Sequence, residues 1–275
     1  MAGQLIVLPG VTAAASAGAP RINMNAPDLI AAKIATLKHV VSARSLALVA
    51  GGGVSGRCRA TGAPLIAKGI SASTLALYEI AGRKGLGING IGRAGLALPA
   101  NSLTESFTTV SAVNIDSVDI AGIDAGTSSV NFLSGFDASD VYRNMMLRYA
   151  SSANADPLIA DKLRVSTTTS GTLAAPAARP TGNWIIVITD YNNTTRLLSI
   201  SANQVATFAS TTQAASLAPA AGSYLEIGYH PDASSLRASK VGDLYTFSDS
   251  LLRTELGKSQ LADLVGALKT YYSIA

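Results

Sequence analysis

The residues able to do chemistry in this chain are few and scattered. Sugar-bond hydrolysis needs two carboxylates flanking one bond, and along a strand only residues an even number apart share a face. Glu79, Glu105, Glu226 and Glu255 each lack an acidic neighbour two to four residues away. Asp116 and Asp119 stand three apart, on opposite faces of any strand. No G-x-S-x-G elbow accompanies His39 or His230. His230, in YHPDAS, reads as a solvated loop histidine at a rim. With Cys58 as the sole thiol, the two histidines cannot complete a conventional Cys/His zinc site, and no disulfide can form within the chain. Asp116, Asp119, Asp124, Asp137 and Asp140 form an acidic concentration, but without the spacing of an EF-hand loop. The expectation is a non-enzymatic chain with no catalytic residue, no metal site and no cofactor. Cys58 is expected to be a small buried side chain.

Two overlapping G-x-G-x-x-G patterns occur, at Gly85, Gly87 and Gly90 and at Gly90, Gly92 and Gly95. A dinucleotide site needs that pattern between a strand and a helix. The segment AGLALPANSL, next in the chain, holds Pro99 and has no helical period, so turns and bulges in a β region explain the glycines better. The basic residues Arg57, Arg59, Lys68, Arg83, Lys84 and Arg93 are spread among glycines rather than gathered on one run. With a formal charge of only +4, no nucleic-acid partner is expected.

Charged residues make up 14% of the 275, against roughly 25% in an average soluble protein, while hydrophobic residues reach 48% and aromatics only 5%. Such a mixture suits short strands, tight turns and extensive contact between proteins. The longest uncharged stretch, Leu197 to Leu225, contains Gln204, Pro219 and Gly222, so no membrane insertion is expected. Its low charge favours burial in an interface between subunits. The opening segment has no Lys or Arg before its apolar run, and Pro9-Gly10 interrupts that run, so it does not read as a leader. Residues 1–27 are expected to be an extended arm in which Gln4, Leu5, Ile6, Val7 and Leu8 add to a sheet edge, here or in a neighbouring subunit.

The elements that must position any site are legible from periodicity. DLIAAKIATLKHVV places Leu29, Ile30, Ile34, Leu37 and Val41 near helical spacing, with Asp28 as N-cap. Residues 28–74 then read as a connector with a short helix and short strands at 45–50, 65–67 and 74–80. Residues 75–275 read as one antiparallel β-domain. Its strand candidates are 107–115, 145–149, 162–167, 184–189, 196–201, 204–208, 224–228 and 241–247, with a helix as the alternative over 137–149. Leu261, Leu264, Val265 and Leu268 form a helical stripe at the close.

Four segments in order carry a family resemblance: GLALPANSLTESFTTVSAVN from Gly95, WIIVITDYNNTTRLLSISANQVA from Trp184, YLEIGY from Tyr224 and VGDLYTFSDSLLRTELGKSQL from Val241. Together they resemble the concanavalin A-like, laminin-G-like family. The resemblance implies a mainly β chain, an antiparallel jelly-roll sandwich with an N-terminal arm and a short C-terminal helix. Bacteriophage tail-fibre, baseplate and decoration proteins often carry such a domain. By that analogy the expected function is a virion structural protein located in a phage particle, with other virion subunits as partners and a homo-oligomeric state. The alternative is a lectin-like module that binds a host-surface glycan. Its ligand residues would be Tyr191, Asn193, Tyr229 and Asp232 at the rim, stacking on and hydrogen-bonding to sugar.

Overall fold

Short apolar runs between turn residues form strands only where each finds a partner, and here they assemble into two antiparallel sheets. The computed structural model describes residues 24–124, 129–150, 163–167, 170–174, 182–232 and 235–275. One sheet has the order β15 (Ala209–Thr212), β14 (Leu197–Ala202), β13 (Trp184–Asn192), β8 (Phe107–Asn114), β17 (Lys240–Phe247), β6 (Arg83–Ile88) and β5 (Leu75–Ile80). An eighth strand, β1 (Leu37–Ser42), also pairs with β17. The other sheet has the order β12 (Ser170–Ala174), β11 (Leu163–Thr167), β10 (Tyr142–Ala150), β9 (Ser129–Phe136), β16 (Tyr224–Gly228), β7 (Gly95–Ala97) and β4 (Ile66–Lys68). A small hairpin, β2 (Ala47–Leu48) with β3 (Val54–Ser55), stands apart. The main core lies between the sheets, where Phe107, Val113, Val187 and Ile200 meet Leu133, Leu147, Val165 and Leu225. The expected mainly β antiparallel sandwich is therefore found. The arm residues Gln4, Leu5, Ile6, Val7 and Leu8 lie outside the described residues.

The two outer faces are treated differently. The eight-stranded sheet presents Val110, Ala112, Trp184, Ile186 and Ile188 outward, and helices cover them. Helix α3 (Glu255–Tyr272) turns Leu261, Leu264, Val265, Leu268 and Tyr272 onto this face, the i, i+3, i+4, i+7 stripe its sequence promises. Thr254 caps it by accepting the Gly257 N–H at 3.0 Å. Trp184 packs on Tyr272 with ring centroids 4.8 Å apart. On the seven-stranded sheet, helix α2 (Ser117–Asp124) touches β9, and the outward residues Ser134, Phe136, Tyr224 and Glu226 are buried as well.

The stretch read as a connector belongs to the sandwich, because β1 and β4 each join a sheet. The helix expected from Asp28 to Val41 is cut short. Helix α1 (Ala26–Ala31) ends early, and Leu37 to Ser42 extends along β17. LKHVV suits either period, and pairing with β17 decides. Asp28 is the N3 residue of a capping box whose N-cap is Asn25. Residues 204–208 are not a strand; the partner of β14 begins later, at Ala209. Residues 142–150 are a strand rather than the alternative helix. Gly85 and Gly87 lie within β6, where a Cβ would press on Lys240, Trp184 or the Tyr78 ring.

Cys58 is fully buried, and its Sγ lies 3.4 Å from His39 Nδ1. Burial first, then the Lys38 charge, holds the His39 pKa down at about 4. The unfolded ring titrates near 6.5, so between 6.5 and 4 the unfolded chain takes up a proton that the folded one refuses. The stability due to neutral His39 is complete above pH 6.5 and is lost as pH falls through 4, by roughly 3 kcal/mol. Asp190 works in the opposite sense, since burial raises its pKa to about 6. Its folded form holds a proton that the unfolded carboxylate releases, so acidification from 6 towards 4 adds stability. Urea unfolding of wild type and His39→Leu separates the two. Their difference in stability is expected to shrink by roughly 3 kcal/mol between pH 7 and pH 4, whereas a constant difference would contradict the assignment.

Candidate functional site

Alternation along the strands decides which side chains lie on the outer face of the seven-stranded sheet. In β16, Leu225 and Ile227 point into the core, so Tyr224 and Glu226 point outward. Their cross-strand partners on β9 are Phe136 and Ser134. Beside them, Ala97 of β7 pairs with Glu226, and Lys68 of β4 pairs with Gly95. Phe136, Tyr224 and Ala97 form a small cluster separate from the main core, with Tyr229 packed against it.

Glycines bring the polar groups together. Gly228 has φ +96°, and a Cβ there would stand 2.7 Å from Ser235 Oγ and 3.0 Å from the Ala94 carbonyl oxygen. The chain therefore turns back at once, which sets Tyr229 and His230 over the strand they have just left. Ser235 Oγ holds this return by accepting the Tyr229 N–H at 3.0 Å and donating to the Ala94 carbonyl. Gly95 leaves room for the Glu226 carboxyl, which is fully buried. Glu226 Oε1 accepts the His230 backbone N–H at 2.8 Å, and Oε2 lies 2.7 Å from His230 Nδ1. The imidazole is thereby fixed in orientation by its own i−4 neighbour.

An aromatic group frames the pair. Phe136 stacks on Tyr224 with centroids 5.5 Å apart and on Tyr229 at 5.8 Å, and meets the His230 ring at a tilt at 4.9 Å. Asp140 accepts from Lys68 Nζ at 2.8 Å and from the Tyr224 hydroxyl at 2.7 Å. The Lys68 hydrogen bond holds Asp140 below the usual carboxylate range. Burial, then the hydrogen bond to Asp140, pushes the Tyr224 phenol upward, which keeps it protonated and poorly nucleophilic. Glu226 and Asp140 both have oxygens engaged by protein donors, so neither is posed as a free acid over an incoming bond. Tyr229 and His230 keep part of their ring surface exposed beside exposed Asp232. That is a surface for stacking and hydrogen bonding.

The four residues expected to bind ligand are not brought together. Tyr191 ends β13 in the opposite sheet and is fully buried, its hydroxyl donating to Asn193 Oδ1 at 3.1 Å. Asn193 in turn clasps Leu217, donating to its carbonyl at 3.1 Å and accepting its N–H at 2.8 Å. These two staple the 213–222 loop to the hairpin. Tyr229 and Asp232 do lie at the end of β16, together with Glu226 and His230. The reading of His230 as a solvated loop residue is corrected: its side chain is 12% exposed and tied to Glu226. The signal that would have found the pair is Gly228, which lets residues 226 and 230 face each other across a strand end.

Other candidates are accounted for. Asp116 pairs with Lys240 at 3.2 Å and Asp119 with Arg237 at 3.4 Å, so these acids are distributed into ion pairs. Among the described residues no group of three potential metal ligands forms. A cleft of about 240 Å³ opens at the start of α3, between Ile34, Thr36, Asp249, Arg253, Leu256 and Gln260. It has no aromatic wall, and Arg253 already pairs with Asp249 at 3.3 Å.

No family model and no curated protein matches the sequence. Solved structures do. Domain 4 of AbnA, an extracellular arabinanase from Geobacillus stearothermophilus in complex with arabinotriose, is 15% identical with a TM-score of 0.54. The match covers 84% of this chain and 98% of that one. The likeness is one of fold. A sialidase from Trypanosoma rangeli in complex with the inhibitor DANA is 14% identical with a TM-score of 0.53, over 83% of this chain. A second structure of that sialidase, with sialic acid, gives 12% and 0.55 over 86%. The chain spans about a third of the length of these sialidase chains, 32% and 33%.

These comparisons overturn the reading as a virion structural protein, since the matching folds belong to proteins that handle sugars. The structure also removes a premise of that reading. The uncharged run from Leu197 to Leu225 does not have to meet another subunit to be buried. Leu198, Ile200, Ala202, Leu217 and Leu225 fill the core of their own subunit.

Proposed function

We propose that this chain is a lectin-like module that binds a glycan on the outer face of its seven-stranded sheet, without cleaving it. The observation that carries the reading is the ordered group of partly exposed Tyr229 and His230 over buried Glu226 and Phe136 at the end of β16. Supporting it is the likeness over almost the whole of an arabinanase domain whose structure holds arabinotriose. Binding rather than turnover is the reading favoured by the engaged carboxylates and the protonated Tyr224 phenol.

Titration calorimetry with arabinotriose and a panel of neutral and acidic oligosaccharides tests this. At least one glycan is expected to bind saturably, and Tyr229→Ala is expected to weaken it by about tenfold or more through loss of the stacking face. Binding untouched by Tyr229→Ala would remove the site, and product released from any bound oligosaccharide would overturn the non-catalytic role.

A further inference from the structure

The turn after β9 and the short edge strand β4 bring two charges together beside Tyr229 and His230. Asp137 Oδ1 accepts the N–H groups of Ser139 at 2.9 Å and Val141 at 3.0 Å, which ties the turn. Asp140 stands at its corner with φ +62°, in the left-handed region. Its carboxylate accepts from Lys68 Nζ at both oxygens, at 2.8 and 3.0 Å, and from the Tyr224 hydroxyl at Oδ1. The Lys68 ammonium lies 5.1 Å from the centre of the Tyr224 ring. Next in the chain, Gly69 comes so close to His230 that a Cβ on it would stand 3.0 Å from the His230 Cβ. Phe136 joins the two groups, because it meets Tyr224, Tyr229 and His230 alike.

The pair is open to solvent, with the Lys68 side chain 28% exposed and that of Asp140 41% exposed. An ion pair so exposed adds little to stability, and glycine would fill a left-handed corner without strain. Folding alone therefore gives little reason for a carboxylate here. An ammonium has three N–H donors and a carboxylate about four acceptor positions, and the bonds to each other and to Tyr224 do not use them all. Cation and anion stand one hydrogen-bond length apart, which is also the spacing of adjacent hydroxyl oxygens on a sugar ring. One hydroxyl can donate to Oδ2 while its neighbour accepts from Nζ, and both bonds are charge-assisted.

We propose that Lys68 and Asp140 read a vicinal diol, so that the module selects glycans whose bound sugar keeps two adjacent hydroxyls free. This rests on the glycan-binding role proposed above and adds the class of sugar that the site takes. The ring that carries the diol has its C–H face against the exposed part of Tyr229.

The test titrates the full chain, by calorimetry, with arabinotriose and each oligosaccharide of the panel above, in free and in O-methylated form. Wild type is expected to bind at least one free oligosaccharide about tenfold or more tighter than its methylated form. Asp140→Asn keeps the side-chain shape, the left-handed backbone and an acceptor for Tyr224, and removes the charge. It is expected to melt close to wild type and to reduce the preference for the free ligand by about tenfold. Lys68→Gln is expected to act in the same direction. A lowered melting temperature with an unchanged ratio of the two affinities, in both variants, would make the pair structural and overturn the diol subsite. Equal affinity for free and methylated ligands in wild type would also overturn the subsite, and would leave the glycan-binding role standing. No binding of any oligosaccharide would overturn both readings.

Discussion

Gly95→Ala is expected to destabilise the chain by about 3 kcal/mol and to disable the candidate site at the same time. A methyl group at this position would sit on the Glu226 carboxyl, 2.7 Å from its Cγ. Glu226 is fully buried and cannot swing into water. To make room its carboxyl must leave the His230 backbone N–H and ring nitrogen, which leaves a buried polar group without these partners. Denaturant midpoints measure the loss of stability, and the affinity for the glycan identified by calorimetry measures the loss of the site. Adding Glu226→Ala to Gly95→Ala removes the clash and is expected to recover part of the stability but none of the binding. A Gly95→Ala chain as stable as wild type would show that the carboxyl does not occupy this place.

The second large effect lies at the other face. Asp28 is 5% exposed and binds three donors from three parts of the chain. These are Arg59 at 2.7 Å, Arg44 at 3.3 Å and the Tyr245 hydroxyl at 2.9 Å. It also closes the capping box of α1 with Asn25. Asp28→Ala would leave two guanidinium groups and a buried hydroxyl without their shared acceptor, at a cost of about 4 kcal/mol. Asp28→Asn keeps one acceptor oxygen and is expected to cost less. Thermal unfolding of both variants checks the order. A loss below about 1 kcal/mol for Asp28→Ala would mean that sheet pairing and packing hold residues 28–74 to the sandwich without this ion-pair cluster.

Particular residues show why some of the fold is legible in the sequence. WIIVIT reads as a strand because it is apolar throughout, and it is buried on both faces, with Trp184 against α3 and Val187 in the main core. The closing helix is legible from Leu261 to Leu268 because one stripe meets one surface. LKHVV is ambiguous, since both periods fit it and only β17, two hundred residues later, resolves the choice. Strand β6 is hidden because glycines signal turns, whereas Gly85 and Gly87 are there to let Lys240, Trp184 and Tyr78 approach.

The site is half legible for a related reason. Tyr229 and Asp232 stand out as an aromatic and an acid at a turn. Glu226 looks isolated in the sequence because an acid's acidic partner belongs at i+2 or i+4, while its actual partner is a histidine beyond a positive-φ glycine. Tyr191 misleads because the polar Asn-Asn-Thr-Thr turn beside it suggests a rim, while strand alternation sends its ring inward.

A glycan site at the Tyr229 end of the seven-stranded sheet is tested most directly by an NMR titration of the labelled chain with the tightest-binding oligosaccharide, read residue by residue. Saturable shifts are expected at residues 134–136 and 224–232, with residues 255–272 of the covering helix unmoved. Shifts confined to the helix and its adjoining cleft, or to the Tyr191 hairpin, would contradict a site on that sheet.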